Sequence, residues 1–366
     1  MAVYKIYPTK DATIYSYYPE RNTGLDEIVE ASTTPSEFLD TGNPQTSRFL
    51  IQFSNTDINN VLNNLANGAS YEARLKLYAA NVTNLSGTTV VECYAVSGSW
   101  NNGTGKLFDN PATTNGVSWT YRSSDTINPW PSESFASGST GSFDTQPGGG
   151  VWYTSTSLKA TQTLQYSNPI DLDLDVTPIV AQWKATSIPN EGFILKQQQE
   201  FVNNVTNAAQ LKYYSIDTNT IYPPCLELRW ADAQIAYQIP PVITGSSVYV
   251  SLDNNTGLYR QGSVQTFRVN TRPYYPGRVF QTTSLYTNQY SLPYSSYYAV
   301  QDLNTNEMVV DFSETYTRLS IDNLGSYFKL YMAGLEPERY YKILIKSTID
   351  GSTLVIDNNF LFKVLN

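Results

Sequence analysis

Apolar and polar residues alternate over several short stretches of this 366-residue chain, the period of two expected of strands that bury one face. In residues 72–79, Ala73, Leu75, Leu77 and Ala79 alternate with Glu72, Arg74, Lys76 and Tyr78. Phe49, Ile51 and Phe53 follow the same pattern, as do Leu226, Leu228 and Trp230. Ile170, Leu172, Leu174 and Val176 alternate with Asp171, Asp173 and Asp175, after which Thr177-Pro178 changes the period. Thr suits a helix N-cap and Pro the first helical position, so a short helix is expected there. Ile179, Val180 and Trp183 would hold it to the core, and Ile188-Pro189-Asn190 would end it. Further on, Tyr341, Ile343 and Ile345 alternate with Lys342 and Lys346. Asp350-Gly351 then reads as a hairpin turn, with residues 353–355 and 360–364 returning as strands.

Between Trp100 and Tyr153 the alternation fades into Gly, Ser, Asn and Pro with scattered aromatics, which predicts long loops. All six tryptophans precede residue 231, and Tyr becomes dense afterwards. Pro240-Pro241 cannot continue a paired central strand, so the composition shift and the prolines together mark a junction. The expected organisation is all-β, with a first domain over residues 1–232, a Pro-rich linker over 233–245 and a second domain over 246–366.

Composition narrows the function. The chain has no histidine, which removes the commonest general base and transition-metal ligand and excludes Ser-His-Asp and Cys-His constellations. A formal charge of −9 without a Lys/Arg cluster argues against nucleic acid as a partner. No stretch is apolar enough for a membrane span, and residues 1–8 lack the basic and apolar regions of a signal peptide. Synthesis in a cytoplasm without export is therefore expected, with Cys93 and Cys225 as free thiols.

Several motifs resemble known modules. Asp11-Ala12-Thr13-Ile14 with Asn22-Thr23-Gly24, then residues 47–53 and 72–77, then residues 91–100, 174–183, 192–196 and 224–230, resemble in order the landmarks of the DNRLRE domain. The resemblance covers residues 8–232 and implies a jelly-roll-like β-sandwich related to some carbohydrate-binding modules. The naming motif is only partly matched by Glu72-Ala73-Arg74-Leu75-Lys76-Leu77. In the second domain, Leu335-Glu336-Pro337 followed by Tyr341 resembles the tyrosine corner of fibronectin type III and immunoglobulin-like sandwiches, with Tyr340 as the alternative corner residue. Residues 317–341 resemble the C-terminal segment of structural proteins of marine T4-like bacteriophages. These resemblances imply a non-enzymatic virion structural protein, a tail, neck or baseplate component or a capsid decoration, assembling with other virion proteins and with copies of itself.

Candidate sites follow from residue chemistry. Trp119, Trp130 and Trp152 lie in the loop-rich stretch, where they would either plug the loops onto the sandwich, the preferred reading, or stack as exposed indoles on sugars. They carry the alternative reading, an adhesin that recognises host-surface glycans. The run Tyr274, Tyr275, Tyr286, Tyr290, Tyr294, Tyr297 and Tyr298, flanked by prolines, is the candidate subunit interface. Asp11, Asp26 and Glu30 are candidates for a structural Ca²⁺ ion, whereas Asp171, Asp173 and Asp175 read as a solvated strand face. No other cofactor is expected. No glycosidase pattern surrounds any Asp or Glu, and Trp100, Trp183 and Trp230 read as core.

Overall fold

The structure, a computed structural model, describes residues 2–34, 45–63, 65, 70–85, 89–124, 127–130, 136–137, 148–200, 208–275 and 289–366. The chain is an all-β protein of β-sandwich architecture. It divides into two compact units, one holding Ile6–Asn64 and Glu72–Glu227, the other Met1–Lys5, Leu65–Tyr71 and Leu228–Asn366. Residues 233–245, expected as a Pro-rich linker, fall within the second unit. Ala236 donates its N–H to Ile321 O at 2.8 Å, Ser291 N–H to Pro241 O at 3.0 Å, and Ile243 is buried.

The main sheet of the first unit runs in the order Lys159–Leu164, Thr89–Ala95, Phe193–Gln197, Gln45–Phe53, Ile28–Thr34, Gln210–Tyr214 and Ala79–Thr83. Pro8–Tyr15 also pairs with Gln45–Phe53, antiparallel. Leu172–Asp175 pairs with Tyr71–Leu77 in a second sheet, each strand alternating as its sequence predicts. Gln45–Phe53 departs from the one-wet-face expectation, because residues 46–51 are all buried. One of its faces packs Phe53 against Phe193, which also meets Trp183 at 4.7 Å. The other face carries Leu50, which joins Ala12, Ile14 and Ile194 in a core closed by Val96, Trp100, Val117, Trp119, Trp130, Val151 and Trp152. The long loops are thus a lid over a sheet face.

The helix Thr177–Lys184 buries Ile179, Val180 and Trp183 as expected. Thr177 is its first residue and not its cap: the hydroxyl donates to Asp175 at 2.6 Å and accepts Ala73 N–H at 2.9 Å. The helix ends at Ala185, before Ile188, where Thr186 takes a positive φ. A helix at Asn55–Asn63 has no counterpart in the sequence reading. Its signal is Ser54, whose hydroxyl accepts Asp57 N–H at 3.2 Å, ahead of Ile58, Val61 and Leu62 on one face.

The second unit is a sandwich of a four-strand and a five-strand sheet. The first runs Val248–Asp253, Val264–Pro273, Gly325–Tyr331, Ser320–Asp322. The second runs Leu258–Arg260, Ser352–Leu365, Tyr340–Ile349, Ser296–Asp302, Met308–Val310, with the first pair parallel. This is the order of immunoglobulin-like domains. Phe267, Phe328, Tyr298 and Phe362 meet in the core, Tyr298 stacking on Phe328 at 4.3 Å. Asp350 and Gly351 both take positive φ, so the hairpin turn forms as predicted, with Ser352–Leu365 as one long returning strand. Tyr341, 1% exposed, donates its hydroxyl to Glu336 O at 2.9 Å, the corner geometry, whereas Tyr340 is exposed.

Candidate functional site

The loop region of the first unit is organised by two buried polar side chains. Asn22 sits in the turn after Pro8–Tyr15 and makes four hydrogen bonds. Its amide nitrogen donates to Asn102 O at 2.7 Å and Val117 O at 2.8 Å, and its oxygen accepts Gly24 N–H at 3.2 Å and Gly105 N–H at 2.8 Å. Gly24 is required beside it, because a Cβ there would stand 2.3 Å from Asn102 O. The second is Arg48, whose guanidinium forks onto Glu200 and donates to Gly149 O at 2.5 Å. The Trp119 and Trp152 rings lie 4.8 and 5.2 Å from it.

These contacts correct the sugar-stacking assignment. Trp119, Trp130 and Trp152 are 0, 9 and 5% exposed, and Trp130 donates its indole N–H to Ser118 O at 3.0 Å. Two of the rings flank a cation and all three belong to the core, so none offers a face to a ligand. Trp100, Trp183 and Trp230 are also buried. Next to Glu200, Lys196 reaches both Glu200 and Glu92 at 3.3 Å, and Lys159 reaches Glu92 at 2.6 Å. Burial works to raise the Glu92 carboxyl, but the Lys159 hydrogen bond and the two lysine charges outweigh it and hold it below the ordinary value.

The acids proposed for Ca²⁺ have separate partners. Asp11 is 1% exposed and accepts Ile216 N–H at 2.7 Å; burial pushes its carboxyl up to about 7, against that hydrogen bond and with help from the charge of Asp217. Asp26 accepts Leu107 N–H at 3.2 Å, and burial pushes it up to about 6. Glu30 pairs with Lys212 at 3.0 Å. Among the described residues no three such side chains converge to hold a metal ion. Cys93 and Cys225 are buried and not joined in a disulfide, and burial pushes the Cys93 thiol well up.

The tyrosine run separates into two populations. Tyr274, Tyr275 and Tyr294 are exposed, with Tyr274 and Tyr275 edge to face at 5.0 Å and Arg318 lying 4.1 Å from the Tyr294 ring. Tyr290 is half-buried against the core. Tyr297 and Tyr298 are buried, which removes them from the interface set: on Ser296–Asp302 Tyr298 faces the core of the sandwich and Tyr297 lies under Arg318 and Lys346. Tyr286 lies outside the described residues. Among the described residues no helix is long and apolar enough to cross a membrane. No family model matches this chain, and no curated protein matches it.

Proposed function

We propose that this chain is a non-enzymatic structural protein of a bacteriophage virion, a tail, neck or baseplate component or a capsid decoration, that works through protein–protein contacts. The observation that carries the reading is the exposed pair Tyr274 and Tyr275 at the end of Val264–Pro273, on a sandwich whose core is densely aromatic. Tyrosines held this way offer apolar area with a polar tip and lose little side-chain freedom on association. The first unit serves as a DNRLRE-like brace, a role supported by the ordered residues of the resemblance and by the two polar hubs that fix its loops. The partners are other virion proteins and further copies of the chain.

The test is light scattering on the purified chain and on Tyr275→Ser, followed by electron microscopy of phage particles with an antibody to the chain. A defined oligomer that Tyr275→Ser dissociates, with labelling at a fixed place on the particle, is the expected result. A strict monomer that labels no particle would refute the proposal.

A further inference from the structure

The outer face of the four-strand sheet in the second unit carries a polar basin that the subunit-contact reading does not use. On Val248–Asp253 alternation sends Val250 inward and Tyr249, Ser251 and Asp253 outward. On Val264–Pro273 it buries Phe267, Val269 and Thr271 and turns Arg268, Asn270 and Arg272 out. The antiparallel register sets Tyr249 opposite Arg272, Ser251 opposite Asn270 and Asp253 opposite Arg268. With Gln289, the side chains of Tyr249, Ser251, Asp253, Asn270 and Arg272 line a basin of about 440 Å³.

The partners of these groups decide what the basin can hold. Arg268 does not answer Asp253, because its two amino groups close a fork on Asp322 at 2.8 and 2.6 Å. Arg272 lies 4.4 Å from the Tyr249 ring centroid and donates through one amino group to Pro273 O and Tyr274 O. Among the described residues no hydrogen bond or ion pair engages the side chains of Ser251, Asp253 or Asn270. A carboxylate, an amide and a hydroxyl are therefore held side by side on a rigid sheet, ready to accept and donate, beside a Tyr249 ring that is 41% exposed.

That set selects against most ligand classes. The formal charges of Asp253 and Arg272 cancel, so neither a phosphate nor a polycation finds a field of its own sign preference. An apolar segment laid here would bury the carboxylate and amide without partners, which disfavours it. A polyhydroxylated ring matches: its hydroxyls pair with carboxylate, amide and hydroxyl, and its C–H face lies against the wall that Arg272 and Tyr249 form together. We infer that this basin is a binding site for a neutral saccharide, held by Asn270, Asp253 and Ser251 beside the wall that Arg272 forms on the Tyr249 ring. Its Tyr249 ring meets Tyr274 edge to face at 6.4 Å, so Asn270, which has no ring contact with that tyrosine pair, is the residue that tests the basin separately from the virion role.

The test is an array of immobilised neutral hexose and N-acetylhexosamine oligosaccharides probed with the full chain. Dense presentation compensates for the weak affinity of one shallow site. Binding to a subset of these glycans, reduced at least tenfold by Asn270→Ala and by Tyr249→Ala and unchanged by Tyr237→Ala at a fully exposed tyrosine, is the expected result. Each variant would first be matched to the parent chain by melting temperature. The inference is overturned if no neutral glycan binds, if binding survives Asn270→Ala and Tyr249→Ala, or if only acidic glycans bind. It is equally overturned if Asn270→Ala dissociates an oligomer, since the face would then be a protein interface.

Discussion

Arg48 and Glu200, 152 residues apart in the chain, close a buried fork in which Nε donates to Oε1 at 2.9 Å and Nη2 to Oε2 at 2.7 Å. The two side chains are 2 and 4% exposed. Truncating Glu200 takes the bidentate carboxylate away from a buried guanidinium, which costs about 3–5 kcal/mol. Glu200→Ala should therefore lower the melting temperature of its unit by roughly 10 °C in calorimetry. Arg48→Met combined with Glu200→Met should recover most of that loss. Full additivity of the two single variants would show that the pair does not act as a unit.

Asn22 makes a similar prediction for the neutral hub. Asn22→Ala removes two accepted and two donated bonds, leaving backbone groups of Asn102, Val117, Gly24 and Gly105 without their partner. The expected loss is on the order of 3 kcal/mol, from about 1–3 kcal/mol for each orphaned group with partial relaxation. Limited proteolysis should open first within residues 102–117, and cleavage elsewhere would argue against this role.

The two raised carboxyls make stability depend on pH in a definite sense. Asp11, near 7 in the folded chain, holds a proton between about pH 4 and 7 where the unfolded chain does not. Its stabilisation is present below its ordinary carboxylate range and disappears as the pH rises through about 7. Asp26, near 6, acts in the same direction. The unfolding free energy of the wild type, measured against Asp11→Asn, should fall by on the order of 3 kcal/mol between pH 5 and pH 8. A difference that stays flat across that range would count against a buried, proton-holding Asp11.

The tyrosine corner is testable with a single oxygen. Tyr341→Phe keeps the buried ring and deletes only the bond to Glu336 O, so it should cost about 1 kcal/mol. Tyr340→Phe, at an exposed ring, should leave denaturant midpoints unchanged. Equal effects of the two changes would remove the corner assignment from Tyr341.

Elements with a local cause were legible in the sequence. Alternation in residues 72–79 and 170–176 marked strands, Thr177-Pro178 marked a helix, and Asp350-Gly351 marked a turn that needs two positive φ angles. Leu335 through Tyr341 gave the corner because its hydrogen bond spans only five residues. What failed depends on distant partners. For Trp119 and Trp152 packing was preferred but sugar stacking stayed open, since nothing near them in sequence announces Arg48. Tyr297 and Tyr298 read as surface because they follow a proline-rich run, although they occupy a central strand of the sandwich. The saccharide basin was invisible for the same reason: it exists only once the register brings Tyr249 to Arg272 and Ser251 to Asn270.

The composition of the second unit has a consequence for how the molecule forms. Val3 belongs to the same core cluster as Leu330, Met332 and Leu335, so its burial closes a loop of more than three hundred residues. Such closure is entropically late and slow. During synthesis Val3 must wait, unprotected, until Leu330, Met332 and Leu335 have been made. The immunoglobulin-like unit is thus expected to complete its core only after synthesis has passed Leu335. A fragment starting at Leu228 would fold around a gap where Val3 belongs, and aggregation of nascent chains would concentrate in that interval.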